Sequence, residues 1–232
     1  MLLVGATSPI GLAIGRAFEA VGDRIVGVAL EPLRDKAFIA GLVHDCATAE
    51  GAAAAVSEAA DLLGGLDVLV PAAAVMPVAP ATQTSDAQWH AALDTTLSGA
   101  FYLCRAALPL LGNGSAIVAV SSVNAFLAAP GVPAYAAAKA GLEGLVRQLA
   151  LEYGPRGVRV NAVAPGTIGG SMPDAAAGYP LGRTGTPEEV AAAVLFLAGA
   201  GFVTGVSLPV DGGLSIASPA AFLRADLRAR WL

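Results

Sequence analysis

Ser122, Tyr135 and Lys139 are the residues whose types and spacing can do chemistry. Tyr135 and Lys139 are four apart in Tyr135-Ala136-Ala137-Ala138-Lys139, so on a helix they share one face, one turn from each other. A free phenol gives up its proton only at about pH 10. A neighbouring ammonium favours the phenolate, so Lys139 is expected to lower the Tyr135 pKa and make it a usable acid/base near neutrality. Ser122 stands thirteen residues before Tyr135, at the end of the apolar run Ala116-Ile117-Val118-Ala119-Val120-Ser121. Its hydroxyl can hold a substrate oxygen against the phenol. The trio suits moving a proton onto or off a carbinol oxygen. A Tyr and a Lys at helical spacing also meet by chance, so the weight of this reading comes from the elements that position them.

Those elements alternate. Leu2–Val4 reads as a first strand and runs into Gly5-Ala6-Thr7-Ser8-Pro9-Ile10-Gly11, after which Leu12, Ile14, Ala17 and Phe18 repeat at helical spacing. Strand, glycine turn and helix make a dinucleotide site: the turn admits backbone to a pyrophosphate, and the helix N-terminus supplies amides and a positive dipole. The spacing here is G-x-x-x-P-x-G, not G-x-G-x-x-G. A second strand is expected over 24–30. The residue at its end, Ala29, Leu30 or Glu31, is placed to meet an adenosine ribose. Glu31 would accept from ribose hydroxyls and repel a 2′-phosphate, Arg34 would do the reverse, and Glu31 reads equally well as a solvated loop residue. Further strands are expected at 41–43, 66–70, 116–121, 158–163 and 206–210. Helices are expected at Ala49–Leu63, 86–108 with Ser85 as N-cap, Pro133–Tyr153 and 187–197. Such alternation predicts an α/β protein with a parallel sheet covered on both faces.

Composition narrows the classes. The 232 residues suit one layered domain over 1–232, with 215–232 as a C-terminal extension. The formal net charge is −5, which argues against a nucleic-acid partner. Cys46 and Cys104 are too few for a disulfide framework, so a cytoplasmic location is expected. No Cys or His spacing suggests a metal, and His44 and His90 stand apart. The start has no basic segment of a signal peptide. Residues 190–210 approach the length of a membrane span, but Gly199, Gly201, Gly205 and Pro209 break the second half, and a helix followed by a strand explains the run better. With 56% hydrophobic residues, much of it Ala, some apolar surface is expected to be hidden between subunits.

From Leu2 to Gly213 the chain resembles the short-chain dehydrogenase/reductase family. The marks are Ser122 with Tyr135-x-x-x-Lys139, Val158-Arg159-Val160-Asn161 before Pro165-Gly166, Pro180-Leu181-Gly182-Arg183, Pro187-Glu188-Glu189-Val190-Ala191, Thr204-Gly205 and Val210-Asp211-Gly212-Gly213. The resemblance implies a Rossmann-type doubly wound sheet of about seven strands. It implies an oxidoreductase that passes a hydride between NAD or NADP and a secondary alcohol or ketone. Tyr135 would be the general acid/base, Ser122 would steady the substrate oxygen, and Lys139 would also bind the nicotinamide ribose. By the same resemblance Gly5, Thr7, Ser8, Ile10 and Gly11 line the pyrophosphate turn, and Asp45 and Cys46 meet the adenine. Ala73 lies below the adenosine ribose, and Pro165, Gly166 and Ile168 flank the nicotinamide. Glu31, with no basic residue in the glycine turn, leans the cofactor to NAD. A homotetramer or dimer is implied, built on the helices holding Thr96 and Tyr135.

The departures are specific. Pro9 replaces the glycine of the turn and removes one N–H, so the cradle is expected to lose a donor. Pro71-Ala72-Ala73-Ala74 replaces the family's Asn-Asn-Ala-Gly. Thr96 stands where the family's Asn holds a water of the proton relay, and Gly170 replaces a threonine near the carboxamide. The stretch from Pro165 to Pro180 is short, which reduces the segment covering the substrate. These changes support a second reading, a catalytically degenerate member acting as a partner or scaffold. A third, a cofactor-free lyase of the halohydrin-dehalogenase kind, would carry Arg where Lys139 stands. Beyond Gly213 the chain continues, and Phe222, Leu223, Leu227 and Trp231 form an apolar stripe at helical spacing. It packs on its own domain or crosses to a neighbouring subunit to cover the cleft.

Overall fold

The computed structural model of the protein describes residues 1–170, 175–218 and 225–228. Seven short apolar strands lie side by side: β1 (Leu2–Val4), β2 (Val26–Ala29), β3 (Ala40–Val43), β4 (Val68–Pro71), β5 (Ala116–Val120), β6 (Arg159–Pro165) and β7 (Ser207–Val210). All pairings are parallel and the spatial order is β3-β2-β1-β4-β5-β6-β7. Parallel neighbours need crossovers, and all of them here are helical except the one from β2 to β3, which runs through residues 30–39 without a helix. The helices are α1 (Pro9–Glu19), α2 (Ala49–Leu63), α3 (Asp86–Leu93), α4 (Gly99–Ala107), α5 (Pro133–Tyr153) and α6 (Pro187–Gly199).

Each strand divides its side chains between two cores, as the period of two requires. Leu2 and Val4 join Ile117 and Ala119 in the core under α2, α4 and α5. Leu3, Val118 and Val120 join the core under α1 and α6. With both faces covered, the strands are continuous apolar runs: all five residues of β5 and all seven of β6 are buried. The polar members of β6 are satisfied internally. Arg159 donates to the Leu197 carbonyl at 2.6 Å and to that of Ala198. Asn161 donates to Val203 O at 2.8 Å and accepts from Val206 N at 3.2 Å, which fixes the approach to β7. Pro209 sits in an edge strand, where a missing N–H costs no ladder bond.

Helix ends follow local chemistry. Ser8, Thr48 and Thr186 cap α1, α2 and α6 through their hydroxyls, and Ser85 forms a capping box with Gln88 on α3. The helix expected over 86–108 is not continuous. A π-helical turn at Asp94–Ser98 separates α3 from α4. One extra residue in a turn leaves the apolar pattern on either side intact, so sequence periodicity does not reveal it. The expected run at 190–210 is α6 followed by β7, and no helix among the described residues is long and apolar enough to cross a membrane. Of the proposed C-terminal stripe only a single helical turn, Ala225–Arg228, is described; Phe222, Leu223 and Trp231 lie outside the described residues.

Candidate active site

Because every strand points the same way, the turns leaving them gather on one edge of the sheet. The chain runs outward from β1 to β3 on one side and from β4 to β7 on the other. The turns after β1 and β4 therefore diverge and leave a crevice at the point where the order reverses. A cavity of ≈ 420 Å³ lies there, within the range of small-molecule sites. Its wall includes Gly5, Thr7, Ser8, Glu31, Asp45, Cys46, Ala73 and Thr96. Ile10, Gly11, Ser122, Tyr135, Lys139, Pro165, Gly166 and Ile168 do not line it. Ile10 and Gly11 stand behind it at the start of α1, and the other six lie at the ends of β5 and β6 and on α5.

The first half of the cleft is built largely of backbone. Gly5 has φ +89, and an added Cβ would stand 2.8 Å from Ala73 N. A Cβ on Gly11 would run into the Gly5 carbonyl oxygen, so the start of α1 lies directly on the turn. The Ser8 hydroxyl donates to Gly5 O at 2.9 Å and accepts from Gly11 N at 3.0 Å. Pro9 occupies the first position of α1, where its fixed φ suits the helix and its missing N–H would have had no intrahelical partner. The amides of Thr7 and Ile10 make no hydrogen bond among the described residues and remain at the helix N-terminus for a ligand. The expected loss of a donor at Pro9 costs α1 no intrahelical bond and leaves these two amides unpaired among the described residues. Pro71 is equally accommodated: β4 pairs with β5 only through Val68 and Leu69, and the Ala72 amide after Pro71 donates to Val4 O at 2.9 Å.

Glu31 is exposed on the cavity wall, whereas Arg34 faces a separate surface depression with Arg16 and Asp35. Asp45 is tied into its own turn by the Ala47 amide at 3.0 Å. His44 beside it contacts Glu58 across 2.9 Å. Burial pushes the Cys46 thiol up to about 12, so at this wall it is an apolar surface and not a nucleophile. From the π turn, Thr96 reaches the cavity with 1% exposure, and its Oγ1 is a buried side-chain atom with no hydrogen-bond partner among the described residues. A buried hydroxyl is seldom left unpaired unless something else is meant to meet it.

The second half is made of side chains. The Lys139 amine, 1% exposed, donates to Val120 O at 2.6 Å and lies 5.5 Å from the centre of the Tyr135 ring. Ser122 accepts from Asn124 N at 3.2 Å and stands beside the Tyr135 phenol, whose proton affinity it lowers. The expected acidification of Tyr135 by Lys139 is not what the structure holds. Burial raises the phenol above its ordinary value, and the Ser122 hydroxyl offsets only part of that. Burial also pulls Lys139 down to about 7, so in this state the amine carries only a fractional charge at neutral pH. The phenol therefore rests in its protonated form, ready to donate.

Pro165 ends β6, and at Gly166, which follows, an added Cβ would crowd the Tyr179 hydroxyl at 3.0 Å. That hydroxyl accepts from Thr167 N at 2.7 Å. Ile168 bridges to Gly185. Gly170, where a threonine was expected, has φ +109, a conformation a β-branched residue would resist, so the shorter loop takes a path that only glycine follows easily. Tyr179, on a loop, and Glu143, on α5, are site-supporting residues the sequence reading missed. Glu143 follows Lys139 by one turn, a spacing that could have drawn attention to it; Tyr179 has no local signal.

The family model described as enoyl-(acyl carrier protein) reductase matches residues 5–215. An uncharacterized oxidoreductase of Schizosaccharomyces pombe is 38% identical over 94% of this chain and 92% of its own length. The D-threitol dehydrogenase of Mycolicibacterium smegmatis is 36% identical over 93% of this chain and 92% of that protein. A solved short-chain dehydrogenase/reductase from Brucella melitensis, titled glucose/ribitol dehydrogenase, superposes with a TM-score of 0.86 at 36% identity, covering 92% of this chain and 94% of that one.

Proposed function

The chain belongs to the short-chain dehydrogenase/reductase family and is an NAD(P)-dependent oxidoreductase of it, and from that premise we propose that Tyr135 is the general acid/base for interconverting a secondary alcohol and a ketone. The observation that carries the reading is the grouping of Ser122, Tyr135 and Lys139 at the end of β5, with the Ser122 hydroxyl beside the phenol and the Lys139 amine 5.5 Å from the centre of the Tyr135 ring. A bound nicotinamide dinucleotide would supply the hydride donor or acceptor. The residues present fit such a group: two free amides at the start of α1, glycines that admit backbone, a cavity of ≈ 420 Å³ and the unpartnered Thr96 hydroxyl on its wall.

Gly5, Thr7, Ser8, Ile10 and Gly11 would hold the pyrophosphate of such a group. Asp45, Cys46 and Ala73 would serve its adenosine end, and Glu31 would accept from the ribose hydroxyls, which favours NAD. Pro165, Gly166 and Ile168 would hold the nicotinamide, and Lys139 its ribose. During reduction Ser122 holds the substrate oxygen, and the Tyr135 phenol gives that oxygen its proton as the carbinol forms. In oxidation the same oxygen returns the proton. Thr96 holds a water on the path by which Tyr135 is reprotonated. A homo-oligomer in the cytoplasm, acting on a neutral small molecule, completes the reading.

Tyr135→Phe tests it. Turnover of a secondary-alcohol and ketone panel should fall by about a hundredfold or more, while NADH titrated by fluorescence binds as tightly as to the unaltered protein. Retention of most of the activity overturns the role of Tyr135. Failure of the unaltered protein to bind either NADH or NADPH would favour the scaffold reading.

A further inference from the structure

Three consecutive residues at the head of the cleft face three turns of one helix. Val120, which ends β5, accepts from Lys139 Nζ at 2.6 Å. Ser121 donates to Glu143 Oε1 at 3.0 Å. Ser122 stands beside the Tyr135 phenol. The outer two holds belong to the chemistry already described. The middle one does not, yet it is the one with a second anchor: the same oxygen of Glu143 accepts from Ser207 Oγ at 2.7 Å, at the start of β7. One buried carboxylate oxygen, on a residue 8% exposed, therefore joins α5 both to the residue that follows β5 and to β7, which is not a neighbour of β5 in the sheet.

A carboxylate is a poor choice for adhesion alone. Removing it from water is costly, and apolar residues of similar volume commonly stabilise a core as well or better. What it adds is direction, because charge-assisted hydrogen bonds fix distance and angle where apolar packing allows sliding. We propose that Glu143 is a positioning residue for the reaction: it sets the height and rotation of α5 against β5, and so fixes where the Tyr135 phenol and Lys139 amine stand relative to Ser122. The inference rests on the reading of Tyr135 as the acid/base. Proton transfer at that centre needs near-contact geometry, and a displacement of about 1 Å can cost about a hundredfold in rate.

The test removes the polar connection without leaving orphans. In the combined variant Glu143→Leu, Ser121→Ala, Ser207→Ala no buried hydroxyl lacks its acceptor. Its kcat should fall by about tenfold or more, while the NADH Kd and the KM for cofactor stay within about twofold. Glu143→Gln keeps a carbonyl oxygen that accepts from both serines and should recover most of that loss. Ser121→Ala alone leaves Glu143 bonded to Ser207 and serves if the combined variant does not fold; its kcat should fall about threefold or more at unchanged cofactor affinity. A folded combined variant with kcat near that of the unaltered protein, or a Ser121→Ala variant with no change in kcat, overturns the proposal. A Glu143→Gln variant as slow as the combined one does the same, since the oxygen acceptor would then not be what positions α5. Tyr135→Phe is the control: if it stays active, the underlying reading fails. If it is dead while the Glu143 and Ser121 variants turn over normally, the positioning role alone fails.

Discussion

The two halves of the cleft are made of different material. Where β1 and β4 diverge, the wall depends on atoms that are missing: the Cβ that Gly5 and Gly11 lack, and the bonds that the Thr7 and Ile10 amides do not make among the described residues. Where β5 and β6 end, it depends on atoms that are present, namely the Ser122 hydroxyl, the Tyr135 phenol and the Lys139 amine. A wall of backbone binds by shape and dipole and is damaged by adding a group. A wall of side chains works by protonation state and is damaged by removing one.

The largest expected effect is on the side-chain half. Lys139→Met should lower turnover by about two orders of magnitude and weaken NADH binding as well, because one amine serves both halves. The same variant sharpens the electrostatic account. Lys139 is depressed from 10.5 to about 7 by burial. The folded state therefore disfavours the ammonium, and between pH 7 and 10.5 the unfolded chain binds the extra proton. Stability should rise with pH across that window in the unaltered protein, and the rise should be absent in Lys139→Met. Urea midpoints at a series of pH values measure it; equal slopes for both proteins would contradict the burial of a largely neutral amine.

Next in size is an addition to the backbone half. Gly11→Ala forces a Cβ into the Gly5 carbonyl and should cost about 1–3 kcal/mol of stability and weaken NADH binding, with little change in kcat at saturating cofactor. Thermal melting and NADH titration check both. A smaller effect is expected at Glu31. Glu31→Ala should raise the NADPH-to-NADH preference by about tenfold, the worth of one lost repulsion, read from the ratio of kcat/KM values. The smallest is Pro9→Gly. Pro9 stands at the first position of α1, so restoring glycine should lower stability by about 0.4–1 kcal/mol through the unfolded chain and leave cofactor affinity unchanged. A clear tightening would show that the missing amide matters after all.

The same contrast explains what could be read from the chain. The backbone half is written locally: a short apolar strand, a glycine with φ +89 and a serine capping the next helix lie within a few residues of one another. The strand–helix alternation, the bounds of Ala49–Leu63 and Pro133–Tyr153, and the spacing of Tyr135 and Lys139 were legible for the same reason. Long-range bonds were not. Glu143 reaches Ser207 across 64 residues, and Tyr179 meets Thr167 from a loop whose composition gives no hint of it. The π turn carrying Thr96 was hidden because an inserted residue does not disturb an apolar stripe that resumes in phase with its own core. Proton affinities were misread at Tyr135 because sequence shows which charge is near and not how dry the site is. Desolvation raises the phenol, and the Ser122 hydroxyl offsets only part of the rise.

The central claim is that this fold moves a hydride to or from a bound nicotinamide while Tyr135 handles the proton. It is tested most directly by following the hydrogen itself. A panel of secondary alcohols carrying deuterium at the carbinol carbon is incubated with the protein and NAD, and the reduced cofactor is weighed by mass spectrometry. The account predicts singly deuterated NADH with at least one alcohol, and none from Tyr135→Phe over the same time. Deuterated NADH formed equally fast by Tyr135→Phe, or reduced cofactor that carries no label, would contradict it.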